Sequence, residues 1–239
     1  MSIARSLFYA AGNVLHPRML WLMLWPMLVA LALWGGVALV LWTRLALRVA
    51  AWLRQGLDWA LALAHLDLQA ISLVAANVLL FLAFVPLVYL TALFILSLFG
   101  MQTMVDYVAT RSYPELERRH GGGIAGTGWN SLVAFFGMVV LAVLSLPLWL
   151  FPPLWPLIPI AILGWVNQRL LRYDALAEHA DAREMGKVFR ARRGGLYALG
   201  AMLALAAYVP IIGFFVPVLF GLAFIHYLLA ALAAERAPT

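Results

Sequence analysis

The run Leu196–Leu232 carries no charged residue over 37 positions. A single membrane span needs only about 20 apolar residues. Pro210, Gly213 and Pro217 interrupt this run near its middle, in the phrase VPIIGFFVP. Proline lacks the backbone donor and clashes with the preceding turn. The run therefore reads as two short helices folded against each other inside a bilayer. Ser131–Val166 has the same build, around Pro147, Pro152, Pro153, Pro156 and Pro159.

Composition agrees with that reading. Sixty-six per cent of the 239 residues are hydrophobic and 11% are charged, against about 45–50% and 25% in soluble domains. A soluble fold of this length cannot hide so much apolar surface, so lipid must cover it. There are no cysteines, which excludes disulfides and thiolate metal sites. The net charge of +6 reads as cytoplasmic loops facing anionic lipid, not as a nucleic-acid surface.

In chain order, residues 1–18 form an amphipathic interfacial lead-in, with Phe8 and Tyr9 suited to the headgroup zone and Arg5 and Arg18 to phosphates. Met19–Trp42 is a first span, uncleaved because its apolar run is longer than a signal-peptide core. Arg44–Gln69 mixes three arginines with apolar residues and reads as a helix leaving the bilayer or lying on it. Ile71–Phe99 is a second long span, in which Asn77 is the one strongly polar side chain and is expected to bond a neighbouring helix. Gly100–Asn130 is polar; its Gly121, Gly123 and Gly126 match G-x-G-x-x-G but lack the strand and helix of a nucleotide site, so a flexible hinge is expected. Asn167–Gly195 carries seven of the sixteen Lys/Arg and reads as a basic, partly helical cytoplasmic segment. The pair His179 and Asp181 has no further ligand at metal spacing, and no cofactor is implied. The tail after Leu232 carries no signal.

The sequence thus predicts one all-α membrane domain over residues 1–239. It has two long transmembrane helices, two proline-broken hairpins at 131–166 and 196–232, and amphipathic interfacial helices. Each half-hairpin counts about 15–17 residues, roughly 24 Å of helix, short of a ~30 Å hydrocarbon core. The turns are apolar, so re-entrant hairpins are expected, with tilted full crossings as the alternative. That topology puts 13 of the 16 Lys/Arg on the side of both termini, and the positive-inside rule makes that side cytoplasmic.

Several stretches resemble the CysZ-type sulfate permeases of the etoposide-induced-protein-like superfamily. They are Phe8-Tyr9-Ala10, Val14-Leu15-His16-Pro17 and Leu24-Trp25-Pro26; then Glu115-Leu116-Glu117-Arg118-Arg119; then Tyr173-Asp174, Arg183-Glu184-Met185 and Phe189–Arg193; and finally Gly200 with Val209–Pro217. The resemblance implies a bacterial inner-membrane oligomer with two long helices and two half-penetrating helix pairs. It further implies uptake of sulfate, with no enzymatic activity. Where the family carries an arginine pair after the proline matching Pro17, this chain reads Leu20 and Trp21. Where it carries Gly-Leu-Leu-Ala-Glu, this chain reads about Thr110–Pro114. The candidate oxyanion ligands are Arg18, Arg111 and Ser112, because guanidinium forks and hydroxyl donors suit oxyanions. A membrane scaffold or lipid-interacting protein with the same fold is the alternative function. His226, alone in an apolar helix, is expected to make a structural hydrogen bond, not to serve as a catalytic base.

Overall fold

A computed structural model describes residues 1–61, 68–209 and 212–237. Among them the chain is helical, with no strand. The elements are α1 (Ile3–Val14), α2 (Pro17–Leu61), α3 (Leu68–Ser112), α4 (Ile124–Ser145), α5 (Leu157–Leu176), α6 (Ala182–Ala191), α7 (Arg193–Ala206) and α8 (Ile212–Arg236). Two short 3-10 turns, Leu146–Leu150 and Pro152–Leu154, join α4 to α5. Five described segments are long and apolar enough to cross a membrane, so the protein is a multi-pass membrane protein.

The chain divides into two compact units, residues 21–98 and residues 1–20 with 99–239. The first is an antiparallel pair made from the long middle parts of α2 and α3. Small residues let the helices approach: Ala30, Val88 and Ala92 are buried between them, with Met27, Trp34 and Phe84 packed around. Two indoles reach across. Trp34 Nε1 donates to Thr91 Oγ1 at 2.9 Å and Trp42 Nε1 to Asn77 Oδ1 at 2.9 Å. Asn77 also donates to the Leu73 carbonyl at 2.8 Å. The expected interhelical bond of Asn77 is therefore present, and it satisfies a polar group that hydrocarbon would leave costly. Leu39, Val40 and Phe81 point outward, as lipid-facing side chains do.

The second unit is built around α8. In its most apolar stretch 72% of residues are buried, against 11% in the corresponding stretches of α2, α3 and α4. Protein, not lipid, surrounds it: α1, α5, α6 and α7 all pack on α8. Phe224, Leu228, Leu229 and Leu232 are fully buried. Because lipid is as apolar as these side chains, their packing is held by close van der Waals contact and not by removal from water.

Three expectations change. First, both arms of the 131–166 hairpin are longer than the apolar run suggests. The 22-residue α4 and the 20-residue α5 are roughly 33 and 30 Å long, enough for a crossing. The extra turns contain Asn130 and Gln168, which are buried within the protein, so polar residues did not mark helix ends. The second hairpin is unequal: α7 has 14 residues, roughly 21 Å, and α8 has 25. Second, Gly213 and Pro217 do not form the turn. Both lie inside α8, with the Gly213 N–H bonded to the Val209 carbonyl at 2.8 Å; Pro210 lies outside the described residues. Pro217, the sixth residue of α8, forgoes one ladder bond there without ending the helix, and the chain breaks earlier, after Ala206. Third, the glycine segment is docked. Gly121 N–H donates to the Ala180 carbonyl at 3.1 Å and Gly122 N–H to Ala177 at 2.8 Å. A Cβ on Gly121 would collide with the Ala180 carbonyl, so the glycines serve close backbone approach and do not form a hinge.

Candidate functional site

The corner between α1 and α2 packs on the last turns of α3. His16 is the residue at that corner. Its Nδ1 accepts the Arg18 N–H at 3.3 Å, and its carbonyl accepts from Met19 and Leu20 at 2.9 and 3.0 Å. Pro17 has no N–H to place. The first turn of α2 is thus satisfied internally, and its amides are not left open for an anion. The His16 ring lies 5.2 Å from the buried Tyr107 ring on α3. One turn on, Arg111 donates from Nη1 to the Tyr107 hydroxyl at 3.3 Å, its Cζ 6.0 Å from the ring centre.

Arg18, through its backbone N–H, and Arg111, through its guanidinium, are therefore both tied to the tilted His16–Tyr107 ring pair, although they are 93 positions apart in sequence. Both are exposed, and neither is in an ion pair among the described residues. Ser112 is not part of this arrangement. It lines a neighbouring hollow of about 520 Å³ with Tyr113, Glu117, Arg119, Ala233 and Arg236.

That hollow is lined by arginines already committed to carboxylates. Arg236, the last residue of α8, donates to both Glu184 oxygens at 2.9 and 2.8 Å. It also donates to the Glu117 carbonyl at 3.0 Å and the His179 carbonyl at 2.6 Å. Arg119 reaches Glu184 at 2.8 Å, and Arg118 pairs with Asp106 at 2.6 Å and Glu178 at 3.6 Å. Glu184 itself closes a capping box with Asp181 at the start of α6. The Arg236 hydrogen bond, more than the Asp181 backbone bond, holds the Glu184 carboxyl down to about 2. Burial, then the charge of Arg118, pushes the His179 imidazole below its ordinary value. This latch ties the end of α8 to the α3–α4 loop and to α6. No local pattern announced it, because Arg236 and Glu184 stand 52 positions apart in sequence.

A second polar cluster lies inside the unit. His226 is buried on α8, its Nε2 2.7 Å from Asn13 Nδ2 on α1. The Tyr9 ring stacks on it at 5.7 Å, and the Tyr113 hydroxyl donates to the His226 carbonyl at 3.3 Å. The cluster fastens α1 across α8 and makes the structural hydrogen bond expected of His226. Among the described residues no group of His, Asp and Glu is arranged to hold a metal ion.

Two exposed arginines without ion pairs among the described residues, anchored at one ring pair, have the charge that suits an oxyanion. Arg119 and Arg236, which line the hollow, and Arg118 beside Asp106 are paired with carboxylates. Searches among curated proteins and among solved structures give no match. The family model described as "Sulfate transporter CysZ/Etoposide-induced protein 2.4" matches residues 6–217, which take in α1 through the start of α8. On that match, the chain belongs to the CysZ/etoposide-induced protein 2.4 family of membrane proteins.

Proposed function

We propose that the protein is a CysZ-like permease or channel for sulfate or another small oxyanion in a bacterial inner membrane. The family match over residues 6–217 carries the reading. The exposed Arg18 and Arg111, without ion pairs among the described residues and anchored at the His16–Tyr107 ring pair, support it. Arg111 supplies the planar fork, the Tyr107 hydroxyl fixes its orientation, and Arg18 adds a second positive charge. Ser112 offers a hydroxyl donor from the adjoining hollow. The protein acts as a homo-oligomer with both termini cytoplasmic, and its two hairpins enter from that side. It performs no enzymatic reaction and needs no cofactor.

The test is equilibrium binding of labelled sulfate to the purified protein. Arg111→Ala should weaken binding by about tenfold or more, as expected for loss of one charge-assisted contact of roughly 1.5–3 kcal/mol. Arg18→Ala should weaken it less. Unchanged binding in both variants would remove these residues from the site. The satisfied first turn of α2, together with Leu20 and Trp21 in place of the family's arginines, favours the second reading, a scaffold that keeps the fold without transport. Absence of any saturable sulfate binding would select it.

A further inference from the structure

An apolar groove runs along the outer face of the α4–α5 hairpin. It encloses about 450 Å³ and is lined by Leu144, Leu148, Ile158, Ala161, Trp165 and, from α7, Tyr197. Its volume falls in the ~300–1,000 Å³ range of small-molecule sites. The Tyr197 hydroxyl is already used, donating to the Ala161 carbonyl at 3.0 Å. The hydroxyl of Ser145, also in the lining, donates to the Ala142 carbonyl at 2.7 Å, so the groove wall is mainly apolar, within segments apolar enough to face lipid.

One end of the groove is different. α5 ends next to the loop that Arg236 clamps, as α8 does. α7 is the inward arm joined to α8, so it runs antiparallel to both. Arg169, one turn beyond Trp165 on α5, and Arg193, one turn before Tyr197 on α7, thus lie past the same end. Arg169 holds its Cζ 5.6 Å from the Trp165 ring, and its Nε is buried with no hydrogen-bond partner. Arg193 is exposed and has no ion pair among the described residues. It opens α7, whose first turn has no side-chain cap, and open space lies beside Gly194. The neighbouring Arg172 is already engaged, with Gln168 at 3.1 Å and with the Phe189 ring at 4.7 Å. No acidic residue bonds Arg169 or Arg193 among the described residues.

We infer that this groove binds one anionic phospholipid, its acyl chain along α4 and α5 and its phosphate between Arg169 and Arg193. An apolar channel closed at one end by two unpaired guanidiniums has the polarity pattern of such a lipid. The α7 start adds backbone donors and the positive end of its dipole. A second copy of the chain fits poorly. A twofold contact repeats the same patch on both copies, which would bring four of these arginines into one interface in a chain of net charge +6. The inference does not depend on the transport reading.

Native mass spectrometry of the full chain in detergent, titrated with dioleoyl-phosphatidylglycerol or dioleoyl-phosphatidylcholine, tests it. One phosphatidylglycerol should bind in preference to phosphatidylcholine. Arg169→Gln with Arg193→Gln should weaken phosphatidylglycerol about 30-fold, from the loss of two basic contacts, and leave phosphatidylcholine unchanged. Ala161→Trp, which fills the groove, should remove the tight lipid while helical circular dichroism stays intact. If the double variant does not fold, the surface change Arg193→Gln alone should still lower the preference by about fivefold. Equal binding of the two lipids by the wild-type chain overturns the proposal. So does a preference that survives loss of the arginines, or a groove-filled variant that loses oligomers and keeps its lipid.

Discussion

Arg236 ends α8 and donates four hydrogen bonds, two to Glu184 and one each to the Glu117 and His179 carbonyls. Its side chain and that of Glu184 are 16% and 13% exposed, so solvent screens the pair only partly. Arg236→Ala should destabilise the protein by about 2–3 kcal/mol, read by detergent-denaturation midpoints, since it leaves a shielded carboxylate with Arg119 as its one remaining cation beside the Asp181 N–H. Arg236→Lys should recover part of this, because a single ammonium cannot reproduce the forked contact. The pH dependence has a definite direction. Glu184 is held from 4.5 down to about 2. Its stabilisation is therefore full above pH 4.5, declines as pH falls below that, and is gone below about 2. Glu184→Gln should flatten the stability curve in that window. An unchanged slope would mean that Glu184 does not titrate with folding.

At the scale of the elements, backbone docking and interhelical bonds make separate predictions. Gly121→Ala should cost about 2 kcal/mol, because its methyl meets the Ala180 carbonyl and that neighbour is backbone. Gly123→Ala, whose Cβ meets nothing within 4 Å, should cost less than about 0.5 kcal/mol. Equal effects would show a hinge, not a docked segment. Asn77→Leu removes the bond to Trp42 and should cost about 0.6–1.7 kcal/mol in detergent denaturation. The elements were legible to different degrees for physical reasons. Long apolar runs dictate membrane helices, so the two long spans and the paired later stretches could be read from hydrophobicity alone. Helix ends could not. Asn130 and Gln168 read as exits from the bilayer, yet one donates to the Arg169 carbonyl at 3.0 Å and the other accepts from Arg172. Polar groups satisfied inside the protein carry no sign of that in their identity. Pro217 misplaced the break because a proline can sit inside a helix at the cost of one ladder bond, and α8 runs through it. The latch was illegible because ion pairs between distant segments leave no periodicity. Arg236 sits in a tail that offers no local pattern, whereas Arg18 and Arg111 are proposed on residue type alone.

For the whole molecule, orientation and activity remain separable. The chain contains no cysteine, so a single introduced cysteine reports topology cleanly. Cysteine at Arg183, on the amphipathic α6, should react with a membrane-impermeant maleimide only when the cytoplasmic face is open. Labelling from the outer face would reverse the positive-inside assignment. Transport is tested most directly by labelled-sulfate uptake into proteoliposomes holding the purified protein, with insertion verified. The account predicts saturable uptake above empty vesicles that falls by about tenfold or more in Arg111→Ala, as the loss of one charge-assisted contact implies. Uptake no greater than in empty vesicles, from fully inserted wild-type protein, would contradict it.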